Sequence, residues 1–260
     1  PLDVYGTTRS SEAKRFFAPA LAEKLIPILN VESDETLEEL FATAKPDVVI
    51  NCVGLVKQLA DAKEPLLAVP MNTLLPHKLA ALCKDTGARL IHISTDCVFS
   101  GKKGNYVESD FADGDDLYGR TKFLGEVDYP HAITLRTSII GHELSGNRSL
   151  LNWFLSQEGT VKGFTRAVFS GLPTVELSRI VREYILPQPA LHGLYHVAAA
   201  PINKFDLLTL IAQVYEKTIE IVADDAFVID RSLNAARFEA ATGYHAPQWP
   251  ELIKRMHAFH

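Results

Sequence analysis

The chain has 260 residues, of which 47% are apolar, 22% charged and 9% aromatic, a composition that supports a large packed core and excludes disordered, collagen-like and coiled-coil chains. Acidic residues outnumber basic ones by 32 to 26, for a formal net charge of -6, and no Lys/Arg-rich run supplies a footprint for nucleic acid or an anionic membrane, so neither is an expected partner. Three cysteines, Cys52, Cys83 and Cys97, show no paired spacing, which argues against a disulfide framework or zinc site and for a reducing, cytoplasmic setting. No apolar run approaches the roughly 20 residues that cross a bilayer, and no charged-then-apolar leader opens the chain.

Residues 2–7 read as a strand with no leading loop, so the pattern starts midway and an earlier strand and helix are expected ahead of Pro1. A short strand fits 27–31, and Ser33 with the acidic Asp34-Glu35 turn predicts a helix over 33–45. Pro46-Asp47 then opens a continuous apolar strand over 48–53, of the kind covered on both faces. Over 65–86, Leu67, Leu74, Leu75, Leu79 and Leu82 recur at helical spacing before a stop at Gly87, while Pro70 and Pro76 predict a kinked or two-piece helix. A strand over 89–94 carries Ser94, Thr95 and Asp96 at its carboxyl end; a helix over 115–127 and a strand over 132–136 follow. This alternation predicts an α/β fold with a doubly wound parallel sheet, whose ligands collect at the carboxyl ends of the strands. Past Gly141 the rhythm loosens into helices over 149–157, 176–186, 204–216 and 250–259 and a strand over 193–198. The expected division is a core over 1–141 and a smaller lobe over 142–260, with about 174–200 returning to the core.

Tyr118-Gly119-Arg120-Thr121-Lys122 is the strongest chemical signal. Tyrosine and lysine four positions apart share one helix face, with β-carbons about 6 Å apart, so both reach one small molecule. Alone, such a pair is common on surface helices; here Ser94-Thr95-Asp96-Cys97-Val98-Phe99-Ser100-Gly101 precedes it with hydroxyls at a strand end. Together these segments resemble the extended, nucleotide-sugar-modifying branch of the short-chain dehydrogenase/reductase superfamily. With Leu135-Arg136-Thr137-Ser138 added, they look like the dTDP-4-dehydrorhamnose reductase family. The resemblance runs from the first residue to about Gly141, and more loosely through Gly171-Leu172-Pro173-Thr174.

The resemblance implies a Rossmann-type dinucleotide-binding core with a C-terminal substrate lobe, and NADP-dependent reduction of the 4-keto group of a nucleotide-linked deoxysugar in the synthesis of cell-surface polysaccharide. Its implied catalytic residues are Thr95, Tyr118 and Lys122. A carbonyl that takes a hydride needs a proton, and a phenol of ordinary pKa near 10 gives one poorly; Lys122 is expected to lower the Tyr118 pKa and to bind the nicotinamide ribose. Thr95 would stabilise the developing charge with a hydrogen bond. Asp96 is followed by Cys97, where related dehydratases carry a glutamate, which disfavours elimination of water. An epimerase on another nucleotide sugar and a non-catalytic NADP-binding regulatory subunit are the competing readings, and a homodimer is an open possibility.

The glycine-rich turn that holds a pyrophosphate occurs nowhere in the 260 residues, and is expected upstream of Pro1. Strand 2–7 leads into Thr8-Arg9 rather than an acidic residue, and Arg9 suits a 2′-phosphate, favouring NADP with NAD possible. The remaining cofactor candidates are Asn51, Val53, Gly54, Asn72, Ser94 and Thr137, with Tyr118 and Lys122. Substrate candidates are Asp96, Val98, Phe99, Arg148 at a helix start suited to a diphosphate, and Lys162 in a segment with Gly163, Phe164 and Arg166. Trp153 reads as core, the scattered histidines form no ligand set, and Cys97 carries no adjacent mark of an activated thiolate.

Overall fold

A computed structural model describes residues 2–28, 30–55 and 63–259. The chain opens with strand β1 (Gly6–Thr8), a 3-10 turn (Ser11–Phe16), helix α1 (Pro19–Ala22) and strand β2 (Leu25–Pro27). β1 and β2 form a separate two-stranded parallel unit, and Ile28 N–H bonds the Thr8 carbonyl at 2.7 Å. The expected strand over 2–7 is thus shorter and later, the one over 27–31 lies earlier, and Leu29 falls outside the described residues.

Helix α2 (Asp34–Ala44) starts where its cap predicts, with the Ser33 hydroxyl accepting from Thr36 N–H. Strand β3 (Val48–Asn51) follows, then a continuous helical run of α3 (Pro65–Ala68), a π-helical turn (Val69–Leu74) and α4 (Leu75–Thr86). Pro70 lacks an N–H and its ring would meet the preceding turn, so the expected kink takes the form of a π turn, a known solution to a broken ladder. That turn drives Asn72 into the interior, where it is fully buried. Within the 22 residues of Pro65–Thr86 an 18-residue window reaches a mean hydropathy of 1.2, so the segment is long and apolar enough to cross a membrane by length and composition, contrary to the sequence expectation. In the fold it is a packed element: Leu75, Pro76, Leu79, Ala80 and Cys83 of α4 are buried.

Strand β4 (Arg89–Thr95) runs into a 3-10 turn (Asp96–Val98), then come helix α5 (Leu117–Leu124), strand β5 (Ala132–Thr137), buried along its whole length, and strand β6 (Ile139–Ile140). α5 is shorter than the 115–127 expected because it stops at Gly125, where the chain crosses the π turn. The remainder supplies α6 (Leu150–Ser156), β7 (Thr160–Phe164), β8 (Ala167–Phe169), β9 (Leu172–Pro173), α7 (Thr174–Ile180) with a π turn (Val181–Ile185), and β10 (Gly193–His196). It ends with β11 (Ile202–Asn203), α8 (Lys204–Val214), β12 (Glu220–Asp224), β13 (Ile229–Asp230), α9 (Ala236–Thr242) and α10 (Trp249–Ala258).

The main sheet has the order β10-β5-β4-β3, all parallel. Alternation splits its side chains between two cores. Leu90 and Ala132 pack with Leu37, Phe41, Leu75 and Leu79 on one face, while Ile91, Ile133 and Leu135 pack with Leu177, Ile180 and the C-terminal elements on the other. β3 departs from the two-sided coverage expected of it, since Ile50 is 47% exposed. The residues past Gly141 also form short sheets, β11-β8-β13, β12-β7 and β6-β9, whose strands are too brief for periodicity to show. Trp153, expected in the core, is 36% exposed; Leu151 and Phe154 fill that role on α6.

Leu135 on the central β5 is fully buried, whereas Leu66 on α3 is 87% exposed. Leu135→Ala should cost about 2–5 kcal/mol in urea denaturation, and Leu66→Ala less than about 0.5 kcal/mol.

Candidate active site

The carboxyl ends of β3, β4 and β5 lie side by side, and their register pairs Ser94 with Arg136 and Thr95 with Thr137. Neighbouring residues of a strand point to opposite faces, so the two rows have different company. Ser94, Arg136 and His196 form one row. There the Glu126 carboxylate accepts from Arg136 Nε and from one terminal nitrogen, each at 2.7 Å, and from the Ser94 hydroxyl at 2.7 Å. This ion pair is buried on both sides, and a buried guanidinium is tolerated when its donors are met in this bidentate way. Ser94, expected on the cofactor, spends its hydroxyl on Glu126 instead. Neither Arg136 nor Glu126 was singled out by sequence as a site residue; the available signal was an arginine inside an otherwise apolar strand, which requires a buried carboxylate nearby.

The other row faces α5. The Thr95 hydroxyl donates to Asp96 Oδ1 at 3.2 Å, accepts from Cys97 N–H at 3.1 Å, and hydrogen-bonds the Tyr118 side chain. Tyr118 is half-buried at the start of α5, whose first turn is capped by Asp116 accepting from Gly119 N–H at 2.7 Å. One turn on, Lys122 is 5% exposed and its ammonium donates to the Ile93 carbonyl at 2.8 Å. The trio Thr95, Tyr118 and Lys122 therefore converges on the end of β4. Burial lowers the Lys122 pKa to about 8, with Glu126 and Cys52 opposing. The expected effect of Lys122 on Tyr118 is not realised: burial raises the phenol pKa, Cys97 and the Asp96 and Asp116 carboxylates add to it, and the Thr95 hydrogen bond opposes.

The expected cofactor residues fall into two groups. Asn51 is buried, its amide meeting His92 Nδ1 at 3.1 Å and its carbonyl oxygen accepting from Val53 N–H at 3.0 Å. Asn72 braces three segments: its Oδ1 accepts from Leu55 N–H at 2.8 Å, and its Nδ2 donates to the Leu55 carbonyl and to the Thr121 hydroxyl. A Cβ on Gly54 would lie 3.1 Å from Asn72 Oδ1 and 4.0 Å from Lys122 Nζ, so the bare backbone there leaves room beside the ammonium. Thr137 is buried next to Thr95, its hydroxyl donating to the Ser138 carbonyl at 3.2 Å. Arg9 is exposed directly after β1.

Of the expected substrate residues, only Asp96 adjoins the trio. Val98 and Phe99 are buried in a separate cluster, with Phe99 stacked on Tyr106 at 4.1 Å. Arg148 is exposed, and the start of α6 beside it is already served by the Ser149 cap and the Glu143 carboxylate, which accepts from Ser149 N–H. Lys162 lies on β7, 74% exposed and paired with Asp224 at 2.9 Å. Its neighbour Gly163 is a packing position, where a Cβ would sit 2.8 Å from the Phe205 ring.

The fold brings in two cations that sequence reading missed. Arg231 Nε donates to the Phe99 carbonyl at 2.7 Å with a second nitrogen 3.7 Å from Cys97 Sγ, and the Lys204 ammonium lies 4.4 Å over the Phe169 ring. Both charges act on Asp96, whose pKa burial raises and these cations pull down. They are more than 100 residues away in sequence, so no local motif could announce them. Among the described residues no group of three or more His, Cys, Asp and Glu could hold a metal ion.

The model of the RmlD substrate binding domain matches residues 3–258. The probable low-salt glycan biosynthesis reductase Agl14 of Haloferax volcanii is 29% identical over 220 residues, 80% of this chain and 70% of that protein. A dTDP-4-dehydrorhamnose reductase of Aggregatibacter actinomycetemcomitans is 25% identical over 262 residues, 89% of this chain and 87% of that one. Among solved structures, the dTDP-4-dehydrorhamnose reductase of Bacillus anthracis in complex with NADP matches with a TM-score of 0.77 at 20% identity, covering 95% of this chain and 94% of that one, a likeness of fold.

Lys122 carries a stability cost. Its pKa is about 8 folded against an ordinary 10.5, so the folded state resists the proton that the unfolded chain keeps. The penalty is full below about pH 8 and relieved as pH rises toward 10.5. Lys122→Met should therefore be more stable than wild type by about 1–2 kcal/mol at pH 7, after loss of the Ile93 bond, with the gap closing toward pH 10. Urea denaturation at the two pH values reads this directly.

Proposed function

Starting from the RmlD substrate binding domain family, to which this chain belongs, we propose that the protein is an NADP-dependent reductase of the 4-keto group of a nucleotide-linked deoxysugar. The observation that carries this reading is the grouping at the end of β4 of Thr95, hydrogen-bonded to Tyr118, with Lys122, whose ammonium is held at the Ile93 carbonyl. The named relatives are reductases, and one is described with NADP. Residues 1–141 would hold the dinucleotide and 142–260 mainly the sugar, with about 174–200 completing the sheet.

The residues fit the nicotinamide half of such a cofactor, since Gly54 leaves its Cβ position vacant beside the buried Lys122 ammonium. Lys122, Thr137, Asn51, Val53 and Gly54 would line that half, Asn72 would hold the loop of Gly54 in place, and the exposed Arg9 suits a 2′-phosphate. When bound, the dinucleotide supplies the hydride.

This chain's residues manage the proton and the charge. Burial keeps Tyr118 protonated across the physiological range, so it stands ready as a donor to the carbonyl oxygen, the direction that reduction needs. Thr95 can turn its hydroxyl proton from Asp96 to the same oxygen, adding a second donor where negative charge develops. Lys122 stands one helical turn along α5 from the phenol, its ammonium held at the Ile93 carbonyl, where it would bind the nicotinamide ribose.

The test is consumption of NADPH on addition of dTDP-4-dehydrorhamnose, with mass analysis of the product. A gain of two mass units supports the reading, and an unchanged mass with a shifted stereocentre would instead indicate an epimerase. Tyr118→Phe should lower kcat by about 10²- to 10⁴-fold while NADPH affinity stays near wild type. Undiminished turnover in that variant would remove Tyr118 from the chemistry.

A further inference from the structure

A segment of the C-terminal part closes on the loop that leaves β4. Asp230 N–H donates to the Gly101 carbonyl, Tyr106 N–H to the Ser232 carbonyl and Asn234 N–H to the Tyr106 carbonyl, each at 2.8 Å. The Ser232 hydroxyl accepts from Asn105 N–H, also at 2.8 Å. Gly101 permits the approach, since a Cβ there would lie 3.0 Å from Arg231 Cγ. These bonds run between main chains or to Ser232, and they fix 101–106 without help from the Arg231 side chain. That side chain reaches upstream of them, to the turn next to Thr95.

Arg231 spreads two donors over that turn. Its Nε donates to the Phe99 carbonyl at 2.7 Å and its Nη1 to Cys97 Sγ at 3.7 Å. The turn, Asp96–Val98, is capped by Thr95, whose hydroxyl accepts from Cys97 N–H at 3.1 Å, and it closes with Phe99 N–H on the Asp96 carbonyl at 3.0 Å. The arginine therefore grips both the residue whose N–H holds the Thr95 hydroxyl and the residue that ends the turn. We propose that Arg231 is a positioning residue: by holding the 96–98 turn at its middle side chain and at its exit, it keeps the Thr95 hydroxyl aimed at the carbonyl that Tyr118 protonates. A planar guanidinium directs donors to two separate acceptors at once, which an ammonium on a flexible stem does not. Ordering so long a side chain costs entropy, and the 101–106 loop has bonds of its own, so the gain lies at the turn. This inference rests on the reductase reading above and adds a residue 132 positions beyond Phe99 to the machinery that places Thr95.

The test is a double-mutant cycle on steady-state reduction of the proposed substrate, dTDP-4-dehydrorhamnose, with wild type, Arg231→Met, Thr95→Val and the double variant. Arg231→Met should lower kcat about 10- to 100-fold, with KM and NADPH affinity within about threefold of wild type. In the Thr95→Val background the same substitution should lower kcat by less than about threefold, because its effect passes through the Thr95 hydroxyl. Ser232→Ala removes a bond from the loop and none from the turn, so it should lower the midpoint of thermal unfolding and leave kcat near wild type. Arg231→Lys keeps the charge without the two directed donors; it should lose about fivefold or more in kcat, and it serves if Arg231→Met fails to fold. Full turnover in either Arg231 variant, equal losses in the two Thr95 backgrounds, a loss confined to KM, or a kcat in Ser232→Ala as low as in Arg231→Met would overturn the proposal. A wild type that does not oxidise NADPH with this substrate would bring down the reductase reading and this inference with it; normal wild-type turnover that survives Arg231→Met brings down this inference alone.

Discussion

Helix α5 reaches the end of β4 because Gly119 within it and Gly125 at its C-terminal cap have no side chain. A Cβ on Gly119 would lie 2.3 Å from the Cys97 carbonyl oxygen, and one on Gly125 would lie 2.0 Å from that of Asn72, distances at which backbone would have to move. With glycine at both, the helix lies flat against the turn after β4 at one end and the π turn at the other. Tyr118 adjoins the first contact and Lys122 sits between the two, so the close approach sets both side chains at once. Asn72, turned inward by the π turn, ties the helix to the Leu55 backbone through Thr121. Chemistry at the strand end thus depends on a steric fit that the helix sequence alone supplies.

Buried charge is used in two ways around this fit. The Arg136–Glu126 pair is met on every side that the contacts describe, with Phe99 below the guanidinium at 5.1 Å, and works as a rigid strut between β5 and the segment after α5. Lys122 and Lys204 are the opposite case, each with its pKa lowered to about 8 by burial. Among the described residues neither forms an ion pair with a carboxylate, Lys122 donating to the Ile93 carbonyl and Lys204 resting on the Phe169 ring. A charge that a fold holds at a cost to stability at a strand end, as Lys122 is, is the expected signature of a site shaped for a ligand.

The repeating part of the fold was legible in sequence and the site was legible in part. Long apolar runs such as 48–53 and 89–94 gave the parallel strands, and Ser33 and Gly87 marked helix ends, because each is a local rule. The short strands past Gly141 were invisible because two to five residues cannot show a period, and several have buried and exposed positions dictated by neighbours distant in the chain. Tyr118 and Lys122 could be read from spacing, and Thr95 from its place after an apolar run. Ser94 could not be separated from Thr95, since only the sheet reveals that its row belongs to Glu126. Val98 and Phe99 could not be assigned to a pocket or the core from sequence, because apolar residues following a site strand look alike in either role. Lys204 and Arg231 arrive through tertiary pairing with β8, for which no sequence pattern exists.

The central claim is that the Gly119 contact, by letting α5 close on Cys97, is what places Tyr118 beside Thr95. Its most direct measurement is steady-state reduction of the proposed substrate, dTDP-4-dehydrorhamnose, by Gly119→Ala, alongside thermal unfolding of the same sample. The account predicts a folded protein that still binds NADPH but turns over about 10²-fold or more slowly, because a methyl at that point displaces the phenol from its partner. A folded Gly119→Ala protein with wild-type kcat would contradict it.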